Sequence, residues 1–330
     1  MINSRLFEWY GIDTTKNLQF PKICPRPFDT VLIDKMGSCY LCQCTAWLPQ
    51  SAGNLFSESL PEILNSPTAQ LLQESILDRS YRYCNDKQCT FLKNTIKKRH
   101  HPVPPKQIKH IRLAIDNSCN LSCPSCRTEQ IFFKSGKQLK MRLELANKIL
   151  DFVKKQDQTV RIHIGSDGDP FASLVYRYFI QQSKDLDNVR FTVQTNGLLV
   201  KKMYRRFQSL FDKLDILNIS IDGATKPTYE KLRRGGQFEN IISNLDFLSN
   251  IDRKFQVQLH MVVQQDNWQE MPKMLELGKK YNVDRIYFNK IENWNTGLDF
   301  SKQTFTEEKG FKDIVKQMAP DPIAYVLSLL

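Results

Sequence analysis

The chain has 330 residues, room for two domains, and its 41% hydrophobic and 11% aromatic content supplies a packed core, which excludes disorder as the main state. Lys and Arg number 47 against 35 Asp and Glu, a formal charge of +12 spread along the chain rather than gathered in a nucleic-acid-binding tail. No apolar run approaches the roughly 18 residues of a membrane span, and the start MINSRLFEWYGIDTTKN lacks a basic-then-apolar signal. A cytoplasmic protein is expected, with no membrane or nucleic-acid partner. The positive balance suits an anionic substrate or simply a solvated basic surface.

Nine cysteines stand at 24, 39, 42, 44, 84, 89, 119, 123 and 126, and none follows. Their number is odd and nothing points to an oxidising compartment, so metal ligation explains them better than disulfides. In chain order, Cys24-Pro-Arg-Pro-Phe28 leads into a predicted hairpin, Thr30 to Ile33 and Cys39 to Cys42, turning at Asp34-Lys35-Met36-Gly37. Two short helices follow, with Ser59 and Ser66 as N-caps and Pro67 at the first helical position of the second. Next comes Tyr83-Cys84-Asn85-Asp86-Lys87-Gln88-Cys89. Cys39-x2-Cys42 with Cys84-x4-Cys89 is a ribbon-like zinc spacing. His100-His101-Pro102-Val103-Pro104-Pro105 cannot continue a helix and reads as a domain boundary.

From residue 110, β-type runs alternate with helix-length stretches. Strands are predicted at 111–116, 160–164, 189–195, 215–222, 255–263 and 285–290, and helices at 141–155, 171–183, 201–212, 237–249 and 267–281. Asn267 and Glu270 are spaced as a capping box for the last helix. Such repetition argues for parallel strands in βα units, six of them, which suits an incomplete barrel. The strands alternate apolar residues with polar ones such as Arg112, His163, Gln194, Asn218, Ser220, Asp222, Gln258, His260, Tyr287 and Asn289. Parallel strands buried on both faces should be apolar on both, so the polar face predicts a hydrated lumen that binds something polar. An antiparallel sheet with one wet face would alternate too, but it would leave the helices no face to cover.

The first of these strands runs into Asp116-Asn117-Ser118-Cys119-Asn120-Leu121-Ser122-Cys123-Pro124-Ser125-Cys126. The spacing C-x3-C-x2-C can hold three corners of a 4Fe–4S cube and leave the fourth iron open to a small molecule's amino and carboxylate groups. A zinc site would want a fourth ligand, and none lies near in sequence. Barrel active sites lie at the C-terminal ends of strands, which is where this loop sits.

With that placement, residues 110–290 resemble the radical S-adenosylmethionine (SAM) superfamily. The resemblance implies that Cys119, Cys123 and Cys126 hold a 4Fe–4S cluster. Its open iron binds SAM and its reduced form cleaves SAM to a 5′-deoxyadenosyl radical, which abstracts a substrate hydrogen. Gly168 and Asp169, in Gly165-Ser166-Asp167-Gly168-Asp169-Pro170, are similar to the family's Gly-Gly-Glu segment, with Asp167 in place of the first glycine and a carboxylate one methylene shorter. Thr195-Asn196-Gly197 matches a recurrent turn. Ser220 and Asp222, in Ser220-Ile221-Asp222-Gly223, fall where the family binds the SAM ribose and methionine moiety, and Arg233 resembles an arginine that pairs with the SAM carboxylate. The resemblance thus implies Gly168, Asp169, Asn196, Ser220, Asp222 and Arg233 as SAM-binding residues. The residue before the third cysteine, commonly aromatic in the family, is Ser125, so adenine must lean on other groups such as Val262.

Cys24-x12-Gly37-x4-Cys42 with the later cysteine pair is similar to the SPASM and twitch extensions that hold auxiliary 4Fe–4S clusters. On that likeness the ligands are Cys24, Cys42, Cys84 and Cys89. The zinc ribbon stays open beside it. Cys39 and Cys44 are then core thiols, or one is a hydrogen-atom donor. The extension precedes the barrel here, whereas it usually follows. The expected plan is an α/β protein: an auxiliary-cluster domain over 1–98, a linker over 99–109, and a partial (β/α)6 barrel with a closing segment over 110–330. The expected activity is a radical SAM oxidoreductase or transferase acting on a polar, anionic or carbohydrate-like small molecule. An electron donor such as flavodoxin or ferredoxin would supply the reductant. A peptide-modifying maturase, and a zinc-binding interaction module on an inactive barrel, are the alternatives. His163 and His260 are candidates for a general base by direction only, and Asn293-Trp294-Asn295-Thr296 for the barrel mouth.

Overall fold

A computed structural model describes residues 2–93, 105–292, 299–300 and 303–326. The linker stretch 99–104 and the segment 293–296 lie outside the described residues. No helix among those described is long and apolar enough to cross a membrane.

The strands, in chain order, are β1 (Thr30–Asp34), β2 (Ser38–Tyr40), β3 (Ser51–Asn54), β4 (His110–Ala114), β5 (Val160–Ile164), β6 (Val189–Thr195), β7 (Leu214–Ser220), β8 (Gln256–Val263), β9 (Arg285–Lys290) and β10 (Ala324–Tyr325). Each of β4 to β9 is followed by helix, in order Gly136–Lys154, Leu174–Gln182, Val200–Arg206 with Gln208–Asp212, Lys226–Leu232 with Phe238–Ser249, Met271–Lys280 and Lys309–Met318. Six strand–helix units in series are the α/β plan of a partial (β/α)6 barrel. The alternation explains the strands: Ile111 and Leu113, Ile162 and Ile164, Val193, Leu217 and Ile219, and Leu259 and Met261 are all buried on one face.

The chain divides into two units. The first comprises residues 1–116, 135–167 and 185–190. Within it β1 and β2 form the predicted antiparallel hairpin, with Asp34 Oδ1 accepting from the N–H groups of Met36 and Ser38 in the turn. A third antiparallel strand, β3, pairs with β2. β1 also pairs in parallel with β4 over five residues, Thr30 with His110 through Asp34 with Ala114, and β4 pairs in parallel with β5. The hairpin therefore extends the first barrel strands rather than standing apart from them. Ser59 caps Leu60–Leu64 in a capping box with Glu62, and Ser66 caps Pro67–Leu77 by accepting from Ala69 N–H. Arg142 forms a buried ion pair with Asp116, fixing the helix Gly136–Lys154 to the chain just past β4.

The second unit comprises residues 117–134, 168–184 and 191–330. β6, β7, β8, β9 and β10 pair in that order, all parallel. Two expectations are corrected here. The predicted helix 201–212 is broken at Phe207, which takes a non-helical backbone between its two pieces. The predicted capping box of Asn267 and Glu270 does not form, because both side chains have longer-range partners. Asn267 Nδ2 donates to the carbonyls of Asp222 and Val262. Glu270 accepts from Ala224 N–H, Thr225 N–H and the hydroxyls of Thr225 and Thr228, capping the helix Lys226–Leu232 from across the unit. That helix itself was absent from the expectation.

Candidate active site and cluster sites

The three-cysteine loop belongs to the second unit and is held by its own backbone. Cys119 N–H donates to Ile131 O at 2.8 Å, and the N–H groups of Cys126 and Arg127 both donate to Cys123 O at 2.9 Å. Arg234 clamps the loop through Thr128 O (2.9 Å) and Ser122 Oγ (3.2 Å), while Ser122 N–H returns a bond to Arg234 O. None of the three cysteines is in a disulfide; Cys119 and Cys123 are buried and Cys126 is exposed.

Each sulfur meets nitrogen donors of the chain. Leu121 N–H lies 3.5 Å and Asn196 Nδ2 3.9 Å from Cys119 Sγ; Arg233 Nη1 lies 4.0 Å from Cys123 Sγ; Arg127 Nε and Nη2 lie 3.4 Å from Cys126 Sγ. Burial, with Asp169 nearby, pushes the Cys119 thiol up to about 11, and burial raises Cys123 although Arg233 opposes it. Thiols ringed by N–H and guanidinium donors fit an anionic thiolate-held cluster, where hydrogen bonds to sulfur tune the group. Among the described residues no three His, Cys, Asp or Glu side chains are gathered tightly enough to hold a single ion.

All six predicted SAM residues fall in this same unit. Gly168 has φ +81°, and a Cβ there would lie 2.5 Å from Ser118 O, so only glycine lets the segment press onto the cysteine loop. The next residue seals that contact, Asp169 N–H donating to Ser118 O at 2.8 Å. The Asp169 carboxylate is engaged on both oxygens. Oδ1 accepts from Phe171 and Ala172 N–H, and Oδ2 from Thr195 Oγ1 (2.7 Å) and Asn196 N–H (2.8 Å). That uses the roughly four acceptor positions a carboxylate offers. Burial still pushes its pKa up despite those bonds.

Asn196, held by Asp169, donates to Asn120 Oδ1 at 2.9 Å and so reaches the cysteine loop. Ser220 Oγ accepts from Gln194 Nε2 at 2.6 Å. Asp222 accepts from Val262 N–H at 2.9 Å and pairs with Arg233 Nε at 2.8 Å. Burial works against the Arg233 charge, but Asp222 and Cys123 together raise its pKa. The fold thus gathers Gly168, Asp169 and Asn196 at Cys119, and Asp222 and Arg233 at Cys123, while Ser220 contacts Gln194. Sequence reasoning missed Asn120, Arg127 and Arg234. The signal for Arg127 was its place directly after the third cysteine; Asn120 and Arg234 carried none.

The first unit brings a second set of cysteines together. Cys24 feels Cys42 and Cys89; Cys84 feels Cys42, Cys24 and Cys89; all four are buried. Burial pushes Cys24 up to about 12 and Cys42 up to about 11, with Arg26 pulling both down. Cys39 is elsewhere, its sulfur 3.5 Å from Gly37 O and its neighbours Asp34 and Glu58. Cys24, Cys42, Cys84 and Cys89 thus act on one another, Cys42 also on Cys44, and Cys39 on none of them. Tyr81 braces it, accepting from Cys24 N–H at 3.0 Å and donating to Lys22 O at 2.5 Å. Arg26 stacks 5.1 Å over Trp47, and its buried Nη1 has no hydrogen-bond partner among the described residues. An unpaired buried guanidinium nitrogen beside Cys24 and Cys42 fits a negatively charged cluster held there.

The model of the radical SAM superfamily matches residues 114–278, and that of an iron–sulfur cluster-binding domain, SPASM, matches residues 24–90. A GTP 3′,8-cyclase of Lactiplantibacillus plantarum is 24% identical over 220 residues, covering 66% of this chain and 63% of that protein. A probable GTP 3′,8-cyclase of Methanococcus maripaludis is 28% identical over 142 residues, covering 43% of this chain and 45% of that one. The chain therefore spans less than two thirds of the length of these curated relatives. Among solved structures, Streptococcus suis SuiB bound to precursor peptide SuiA superposes with a TM-score of 0.46 at 13% identity, over 66% of this chain and 48% of that one.

Proposed function

The chain belongs to the radical SAM superfamily and carries a SPASM iron–sulfur domain ahead of its strand–helix series, and from that premise we propose that it cleaves SAM reductively and abstracts hydrogen from a polar small molecule. Cys119, Cys123 and Cys126 are the ligands of the SAM-facing 4Fe–4S cluster on this reading, and Cys24, Cys42, Cys84 and Cys89 those of the auxiliary one. When bound and reduced, the first cluster supplies the electron that splits SAM into methionine and a 5′-deoxyadenosyl radical. The chain's own groups position and screen. Arg127, Arg233 and Asn196 direct donors at the three sulfurs. Gly168 permits close backbone approach, and Asp169 fixes the Asn196 turn. Arg233 and Asp222, already paired, are the ionic groups that SAM's carboxylate and ribose meet, with Ser220 beside them. The domains follow as 1–98 for the auxiliary cluster, 99–109 as linker and 110–330 for the barrel.

The substrate is carbohydrate-like or bears a sugar, a reading supported by the polar strand face and by the name of the curated relatives, which act on GTP. A one-electron donor such as flavodoxin or ferredoxin completes the cycle, and the free thiols suit a reducing cytoplasm. The observation that carries the proposal is the donor shell: three unbridged cysteines on one loop, every sulfur faced by a nitrogen donor. Protein purified anaerobically should contain about eight iron atoms and as many sulfides per chain, four for each cluster. About four irons with one zinc would contradict the auxiliary cluster and return the N-terminal cysteines to a zinc site.

A further inference from the structure

Three carboxamides stand side by side on one face of the second unit's strands. Gln194 of β6 is in register with Asn218 of β7, and Asn218 with Gln258 of β8. Adjacent strands lie about 4.8 Å apart and in-register side chains share a face, so the three amides form a row. Their neighbours Val193, Leu217, Ile219, Val257 and Leu259 are buried on the opposite, apolar face. Asn218 is 7% exposed and Gln258 5%, yet Asn218 Oδ1 has no hydrogen-bond partner among the described residues. A buried amide oxygen left unpaired is costly, so the row is incomplete without a donor from a bound molecule.

The next row toward the C-terminal ends of the strands is aromatic. Ser220, His260 and Tyr287 are in register. The rings of His260 and Tyr287 have centroids 4.8 Å apart, tilted by 33°, and Tyr325 of β10 is 4.9 Å from Tyr287. Arg285, in register with Gln258, donates to Tyr287 Oη at 3.1 Å and carries its guanidinium 5.9 Å from that ring. Gln194 Nε2 already donates to Ser220 Oγ and Gln258 Nε2 to Gln256 Oε1, so the Asn218 carboxamide is the group of the row whose donor and acceptor complement a nucleobase edge. Aromatic rings take the flat face of a base, and a guanidinium takes phosphate. A sugar hydroxyl could satisfy one amide, but a row of three planar amides next to a run of aromatic rings matches a flat heterocycle.

We propose that this face of β6 to β9 is a base-binding subsite for a nucleotide, with Asn218 as its specificity-determining residue. The proposal rests on the function above in taking that nucleotide as the substrate. The test uses the full, cluster-loaded protein, with S-adenosylhomocysteine saturating so that the adenosine site is filled. GTP, ATP, UTP and ribose 5-phosphate are then titrated calorimetrically. At least one nucleotide should bind in preference to ribose 5-phosphate, and Asn218→Leu and Gln258→Leu should each weaken it by about tenfold or more, with S-adenosylhomocysteine affinity unchanged. Asn218→Asp, nearly isosteric, guards against misfolding: it replaces the amide donor with an acceptor and should change which base is preferred. Ribose 5-phosphate binding as tightly as the nucleotides would overturn the proposal. So would nucleotide affinity and preference unmoved in both Asn218 variants, which would mean that the oxygen meets only water. 5′-Deoxyadenosine formation without nucleotide binding refutes the subsite and leaves the function; nucleotide binding without 5′-deoxyadenosine does the reverse.

Discussion

At the scale of single residues, Asp169 does something its motif does not announce. A carboxylate at this place can accept from an ammonium group, but the chain itself fills its acceptor positions, two bonds from the helix-leading turn at 171–172 and two from Thr195 and Asn196. On the proposed reading its effect on SAM runs through Asn196, which it orients toward Asn120 and Cys119. Asp169→Asn would turn an amide N–H₂ against existing donors and leave buried groups unpaired. We expect a loss of about 1–3 kcal/mol in denaturant unfolding, together with weaker SAM binding. A variant as stable as the parent would show that those four bonds do not matter. The likeness to SPASM and twitch extensions implied Cys24, Cys42, Cys84 and Cys89 as one ligand set; in the fold these four act on one another, while Cys39 has Asp34 and Glu58 as neighbours. What could not be read was saturation. Whether a carboxylate is free depends on partners 26 and 27 positions away, and no local pattern carries that.

At the scale of elements, period-two alternation located β5, β6 and β9 to the residue, because buried parallel strands covered by helices impose an apolar face regardless of neighbours. Two local patterns misled. Asn267 and Glu270 have capping-box spacing, but Asn267 ties the carbonyls of Asp222 and Val262 together, and Glu270 caps the helix Lys226–Leu232 instead. That helix went unseen because it is only seven residues long and its N-terminal acceptor comes from another segment. Arg233 is its C-cap, so Glu270 stands behind the pairing of Arg233 with Asp222. Glu270→Ala should cost about 1–2 kcal/mol, the range of a lost cap. It should also weaken SAM binding while iron content stays at the parent's level, since all three cysteines are retained. An unchanged SAM affinity would separate the helix cap from the site. β3 escaped notice for a similar reason: Ser-Ala-Gly-Asn has little strand propensity and is recruited by pairing with β2.

At the scale of the whole molecule, the two iron–sulfur families were legible in the cysteine motifs, whereas the strand pairings were not. Nine cysteines, none beyond residue 126, already separated into two groups, and the two units of the fold each hold one group: the six at 24–89 in the first, the three at 119–126 in the second. The parallel pairing of β1 with β4 was out of reach, because it joins segments 80 residues apart through backbone bonds that no side-chain pattern specifies. The +12 charge suits an anionic substrate, and the exposed Arg285 beside the amide row gives that charge a place. The central claim is that Cys119, Cys123 and Cys126 hold the cluster that cleaves SAM. The most direct test is 5′-deoxyadenosine released when dithionite and SAM are added to anaerobic, iron-loaded protein, measured beside Cys123→Ala. Release from the parent and its abolition in the variant are expected; no release from the parent, or undiminished release from Cys123→Ala, would contradict the account.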